Sequence, residues 1–219
     1  MREFIRDYPR MAIRPRTGKP PLLKGRFEFH ARHPEIGEIE DAFDLEIELP
    51  ENFPRELPTV IETGQRIPRT PAYHVNSSDG SLCLGSPLRL LLIISKKPTV
   101  TGFAELCLVP YLVAVSHKLQ TGAPLLFGEL DHGVPGALSD YQGLFNLDTP
   151  AQALDTVHAL GKKKRVANKL PCPCGCQRRL GKCNFRDRLN SFRALATRSW
   201  YRYEFQQLTR PFRMAPLTR

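Results

Sequence analysis

Two groups of residues in this 219-residue chain have the types and spacing to do chemistry. The first centres on Cys83, near the end of the run Tyr73-His74-Val75-Asn76-Ser77-Ser78-Asp79-Gly80-Ser81-Leu82-Cys83-Leu84. A thiolate is both a strong nucleophile and a good leaving group, so a Cys in such a segment can do nucleophilic chemistry. Asp79-Gly80 is a pair that favours a tight turn. The second group is Cys172, Cys174, Cys176 and Cys183, four thiols within twelve residues. Such spacing suits metal ligation, and tetrahedral zinc takes four thiolates readily. Cys107 falls on an apolar helical face and reads as core packing, and Cys83 taken alone would carry the same reading.

The elements that position these residues can be read in outline. Residues 1–20 are basic and contain Pro9, Pro15 and Pro20, so any helix there is short. Residues 26–32 alternate in part and read as a strand. Residues 43–49 alternate cleanly, with Phe43, Leu45, Ile47 and Leu49 against Asp44, Glu46 and Glu48, a half-buried strand with one solvated face. Pro50 ends it, and residues 59–63 form a third strand. Short connections make this an antiparallel meander. Residues 68–87 are irregular, as functional loops often are. Residues 101–119 pattern as a helix that Pro110 can kink. Residues 150–160 pattern as a short helix capped by Asp148 or Thr149, with Pro150 in its first turn. The fold class is therefore α+β: an antiparallel β-meander flanked by helices, with a small C-terminal zinc-binding appendage.

Charge divides the chain. Residues 161–219 hold 16 Lys and Arg against Asp187 and Glu204, whereas residues 1–160 hold 16 against 20 acids. This places a mildly acidic body at 1–160 and a basic tail at 161–219. Apolar residues are 41% and charged residues 25%, the mix of a folded soluble protein rather than a disordered one. No uninterrupted apolar run reaches the ~18 residues of a transmembrane helix, and the basic N-terminus lacks the apolar stretch of a secretory signal. The expected compartment is reducing and cytoplasmic, with no membrane partner.

The segment around Cys83 resembles the active-site region of ubiquitin-conjugating enzymes. In that family a His-Pro-Asn triplet precedes an Asp-Gly or Asn-Gly turn. A Ser or Lys, an aliphatic residue, the catalytic Cys and a Leu then follow. Here the triplet is His74-Val75-Asn76, the turn Asp79-Gly80 and the nucleophile position Cys83. The polar strand, the Pro-rich turn at 50–58 and the strand at 59–63 come in the family's order, and the outline covers residues 20–125. The resemblance implies a carrier that takes a ubiquitin-like modifier as a thioester on Cys83 from an activating enzyme. It then delivers the acyl group to the acceptor lysine of a target protein. It gives Asn76 an oxyanion-stabilising or loop-holding role and His74 an architectural one. An acidic residue that positions or deprotonates the lysine is expected near the Cys. Asp131 and His132 are candidates, and a solvated Gly-supported loop is the competing reading. Val75 in place of the triplet's Pro, and no Trp before Trp200, mark a divergent, bacterial-type member. Bacterial relatives of this kind are associated with antiviral defence.

Residues 172–183 are similar to the small bacterial zinc motif known as SEC-C. That motif runs Cys-Pro-Cys-Gly-Ser-Gly, two basic residues, an aromatic, then Cys followed by Cys or His. Cys172, Cys174 and Cys183 match three ligands; the fourth position falls on Asn184, and Cys176 replaces it. The resemblance implies a structural Zn²⁺ held by all four thiolates. The tail beyond mixes Arg with Phe192, Trp200, Tyr201, Tyr203 and Phe205. It fits nucleic-acid binding, docking of an acidic protein, or aromatics packed on the body beneath a cationic surface. The alternative to conjugation is a catalytically inactive conjugating-type fold. It would bind nucleic acid or protein through the zinc knuckle and basic tail. A third, weaker option is a thiol hydrolase that removes the modifier, with only His74 nearby as a base.

Overall fold

A computed structural model describes residues 1–126 and 133–214. It is a mixed α+β structure with a four-stranded antiparallel sheet and helices, and the cysteine cluster lies toward the C-terminus. The chain divides into two compact units, Met1–Gly85 with Ile93–Leu130, and Ser86–Leu92 with Asp131–Arg219.

The first unit begins with α1 (Arg2–Asp7), followed by β1 (Met11–Arg14), β2 (Leu22–His33), β3 (Gly37–Glu48) and β4 (Thr59–Glu62). The strands pair in sequence order, all antiparallel. The β2–β3 hairpin runs in unbroken register from Leu22↔Glu48 to His33↔Gly37. Alternation sends Leu23, Phe27, Phe29, Phe43, Leu45 and Ile47 into the core and the charged residues outward. The outer face ties the strands with Arg10–Glu28 (2.8 Å), Arg16–Glu48 (2.9 Å) and Lys24–Glu46 (2.7 Å). The sequence reading missed β1 and made β2 and β3 too short, because their ends are charged on the solvent side and lack a clean alternation. Gly25 explains how β1 joins. A Cβ there would lie 2.2 Å from the Arg10 carbonyl oxygen, so only glycine admits this approach.

Three helical segments follow β4 and its loop. α2 (Pro87–Ile94) comes first, then α3 (Val100–Phe103), a wide π turn at Ala104–Leu108, and α4 (Val109–Thr121). The side chain of Thr99 caps α3, accepting from Gly102 N at 2.9 Å. Pro110 lacks an N–H and crowds the carbonyl of the preceding turn. The π turn just before it accommodates that defect within one continuous helical run. By length and composition Val100–Thr121 is apolar enough to cross a membrane, but most of it is buried and α4 packs on β2 and β3, as a core helix does.

In the second unit, α5 (Gly133–Phe145), α6 (Pro150–Leu160), α7 (Lys164–Ala167), α8 (Phe185–Arg193) and α9 (Arg198–Met214) are helical. Thr149 and Gln152 form a reciprocal capping box at the start of α6, with Pro150 in the first turn. α9 packs against α5 and α6, and α8 against α6. Phe145 meets Phe192 edge-on with ring centroids 4.8 Å apart. Tyr141 donates to the buried carboxylate of Glu204 at 2.6 Å and accepts from Leu88 N at 3.2 Å. These contacts make α5 and α6 part of the same compact unit as the basic tail. The charge break at Gly161 therefore falls inside a unit, between α6 and α7.

Candidate thiol site and candidate metal centre

The loop that carries Cys83 is built on β4. Leu82 N donates to Val60 O at 2.8 Å, and Ser81 bridges Ile61, so residues 81–82 extend the sheet. A second bridge, Val75↔Leu82, folds the chain back on itself. Asn76 N donates to Ser81 O (2.9 Å), and Cys83 N donates to His74 O (2.7 Å). His74, Asn76 and Cys83 thus belong to one small hairpin. Val75, which stands where the resemblance expects Pro, is buried within it. His74 adopts a left-handed conformation at φ 51°, ending a 3-10 turn at Pro71–Tyr73.

The hairpin tip is locked by side chains. Asp79 Oδ1 accepts from both the backbone N–H (2.9 Å) and the hydroxyl (2.7 Å) of Ser81. Asn76 Nδ2 donates to the same hydroxyl oxygen at 2.8 Å. Ser81 therefore spends its donor on Asp79 and an acceptor site on Asn76. The Ser81 N–H, and then its hydroxyl, hold the Asp79 carboxyl below the usual value. Asp79 is thereby committed to the turn. Gly80 sits at φ 73° with the Arg69 guanidinium against it, so a side chain there would meet both backbone strain and a clash.

Two residues of α4 hold the other side of the loop. The buried Tyr111 hydroxyl donates to Tyr73 O at 2.7 Å. Lys118 Nζ donates to Ala72 O at 2.8 Å and lies 4.9 Å over the Tyr73 ring. Burial pushes the Tyr111 hydroxyl far up, with further contributions from the charges of Cys83 and Glu62. Glu62, at the end of β4, is buried, and its Oε1 has no partner among the described residues. The sequence reading passed over Tyr111, Lys118, Ser81 and Glu62. The signal available for the first two was their seven-residue spacing, which stacks them two turns apart on one helical face.

Cys83 itself is exposed, unlike Cys107, which is buried on the π turn. Neighbouring groups still crowd the Cys83 sulfur. Desolvation raises its thiol above the ordinary 9.0, partly offset by the backbone N–H of Gly85. The resting group is thus a protonated thiol at neutral pH. Asp131 and His132, the residues proposed to orient an amine, lie outside the described residues.

The four C-terminal thiols converge. Cys172 and Cys174 sulfurs are 3.2 Å apart, Cys174 and Cys183 are 3.7 Å apart, and all four sulfurs, Cys176 included, lie within 4.8 Å of one another. Two thiolates on one tetrahedral zinc at ~2.3 Å would be separated by about 3.8 Å, so the set can hold such an ion. The local backbone serves this convergence. Cys172 N donates to Arg178 O (2.8 Å) and Leu180 N to Leu170 O (2.9 Å), pinning a short reversal of the chain. Phe185 N approaches Cys183 Sγ at 3.5 Å. The Arg178 backbone N–H and guanidinium lower the Cys176 thiol to about 6, while burial raises Cys172 and Cys174. A closed four-thiolate site leaves no open coordination position, which suits a structural ion.

No family model, curated protein or solved structure matches the chain.

The raised thiol predicts a pH profile. A raised pKa leaves less thiolate at a given pH, so Cys83 alkylation by iodoacetamide should keep rising through the ordinary cysteine range. Mass-spectrometric rates that plateau below about pH 8 would contradict the environment described here.

Proposed function

We propose that this chain is a ubiquitin-conjugating-like thioester carrier. Cys83 takes the C-terminal acyl group of a ubiquitin-like modifier from the activating enzyme's thioester. The C–S bond to the enzyme's sulfur breaks as the bond to Cys83 Sγ forms, and the proton that Cys83 gives up ends on the departing sulfur, which leaves as a thiol. An acceptor lysine amine then attacks the new thioester, forming an amide and returning Cys83 as a thiol. Neither step requires an oxidant or a bound cofactor.

The observation that carries this reading is the exposed Cys83 thiol at the mouth of a hairpin that also bears His74 and Asn76. β3, the turn that follows it and β4 precede this hairpin in the order the resemblance implies. In this reading His74 supports the loop through its backbone, its carbonyl accepting from Cys83 N. Asn76, anchored on Ser81, keeps the tip rigid. The raised thiol keeps the free carrier unreactive until a partner's base removes the proton. The C-terminal thiols hold structural zinc, whose binding energy folds a knuckle with little apolar core of its own. The setting is bacterial antiviral conjugation in the cytoplasm.

With the cognate activating enzyme, ATP and modifier, the chain should form an adduct that a thiol reductant cleaves. Cys83→Ala should abolish it, and Cys83→Ser should give a reductant-resistant ester. An adduct that persists in Cys83→Ala would refute the assignment. For the metal, elemental analysis should find one zinc per chain. Cys176→Ser should weaken zinc binding by more than the ~10–100-fold that loss of an outer-shell partner costs. Unchanged affinity would remove Cys176 from the ligand set.

A further inference from the structure

We infer that the second unit carries a cleft for single-stranded nucleic acid, formed by the C-terminal end of α6, residues 162–164 and the first turns of α9. Two adjoining depressions make up this cleft and share Tyr201 as a wall. One, of about 310 Å³, is lined by Leu160, Lys163, Lys164, Arg193 and Arg198 among others. The other, of about 240 Å³, is lined by His158, Lys162, Arg202 and Phe205 among others. The floor is apolar and aromatic, and the lining groups that carry charge are cationic.

On the sheet of the first unit, Arg10, Arg16 and Lys24 each meet a carboxylate within 2.9 Å. Among the described residues, no ion pair is formed by Lys162, Lys163, Lys164, Arg193, Arg198 or Arg202. Arg193 is fixed in place: Nη1 donates to Leu160 O (3.1 Å) and Lys162 O (3.0 Å), and Nη2 to Ala159 O (3.0 Å). Its Nε is buried with no partner among the described residues. Burial disfavours the Arg193 cation, the charge of Tyr201 favours it, and the charge of Arg198 disfavours it further. Near His158 the charge of Lys162 outweighs that of Asp155. Like charges held together over an apolar floor carry an electrostatic cost that a bound polyanion removes.

The aromatic residues decide which polyanion. His158 stacks on Phe205 with ring centroids 4.7 Å apart, and both rings are half-buried at the wall of the second depression. A cationic groove beside aromatic surfaces is the arrangement that tracks a phosphate backbone and stacks unpaired bases. An acidic polypeptide would satisfy the charge but would leave the aromatic surface unused.

The test is fluorescence anisotropy of a labelled oligothymidylate with the full-length, metal-loaded chain. Binding should weaken steeply with salt. Lys163→Glu with Lys164→Glu and Arg198→Glu should reduce affinity at least ~tenfold and flatten the logarithmic salt slope by about 2, at ~0.7 per lost phosphate contact. Lys163→Gln with Lys164→Gln should act in the same direction and covers the case in which charge reversal unfolds the unit. Arg14→Glu and Arg32→Glu, on the other unit, should leave affinity unchanged. The inference is overturned by failure to bind at low salt, by unchanged affinity in the glutamine variant, or by polyglutamate or duplex DNA binding as tightly as the oligothymidylate.

Discussion

The candidate thiol site depends on one backbone constraint, the pairing of residues 81–82 with β4. Leu82 N on Val60 O anchors the returning arm of the hairpin to the edge of the sheet. Two residues in extended pairing fix the next, so Cys83 emerges with its N–H already held by His74. The thiol is therefore presented by the sheet rather than by a free loop. Its position is only as rigid as that edge, and aromatic side chains pack beneath the strands that carry the edge. Phe27 stacks with Tyr8 at 4.3 Å, and Phe29 lies near-parallel to Phe43 at 6.4 Å. Burial of such side chains stabilises by roughly 1.5–3 kcal/mol each, far more than any one hydrogen bond of the hairpin.

The remaining loop contacts divide the work of holding one short segment. Asp79, Ser81 and Asn76 bond one another at the tip. Tyr111 and Lys118 reach from α4 to the carbonyls of Tyr73 and Ala72. The carboxylate and hydroxyl nearest the thiol in sequence are thereby tied into the turn, and the Asn76 amide is anchored on that hydroxyl.

Legibility in the sequence followed physical contrast. The strand at residues 43–49 could be read because one face is fully apolar and the other fully acidic. β1 could not, because Met11 is its one fully buried residue and Gly25 admits it through a backbone contact that no pattern encodes. The helix at 101–119 was legible, but its π turn was not, since widening by one residue depends on how Pro110 meets the turn before it. Four closely spaced Cys announced their cluster. Motif order put His74, Asn76 and Cys83 in one segment, but that segment reads as irregular, because the bridges that make it a hairpin on β4 are non-local pairings. The charge break at Gly161 marked composition rather than packing, because α9 buries Tyr201 and Leu208 while exposing Arg198, Arg202 and Arg210.

The most direct measurement compares how Cys83 reacts with two thioesters, a small glycyl one and one at the C-terminus of a folded ubiquitin-like polypeptide, by intact-mass spectrometry at alkaline pH. An open carrier thiol predicts transfer from both onto Cys83, with rates within about tenfold of each other. Reaction with the small thioester alone would show a thiol that a polypeptide terminus does not reach, and would contradict the account.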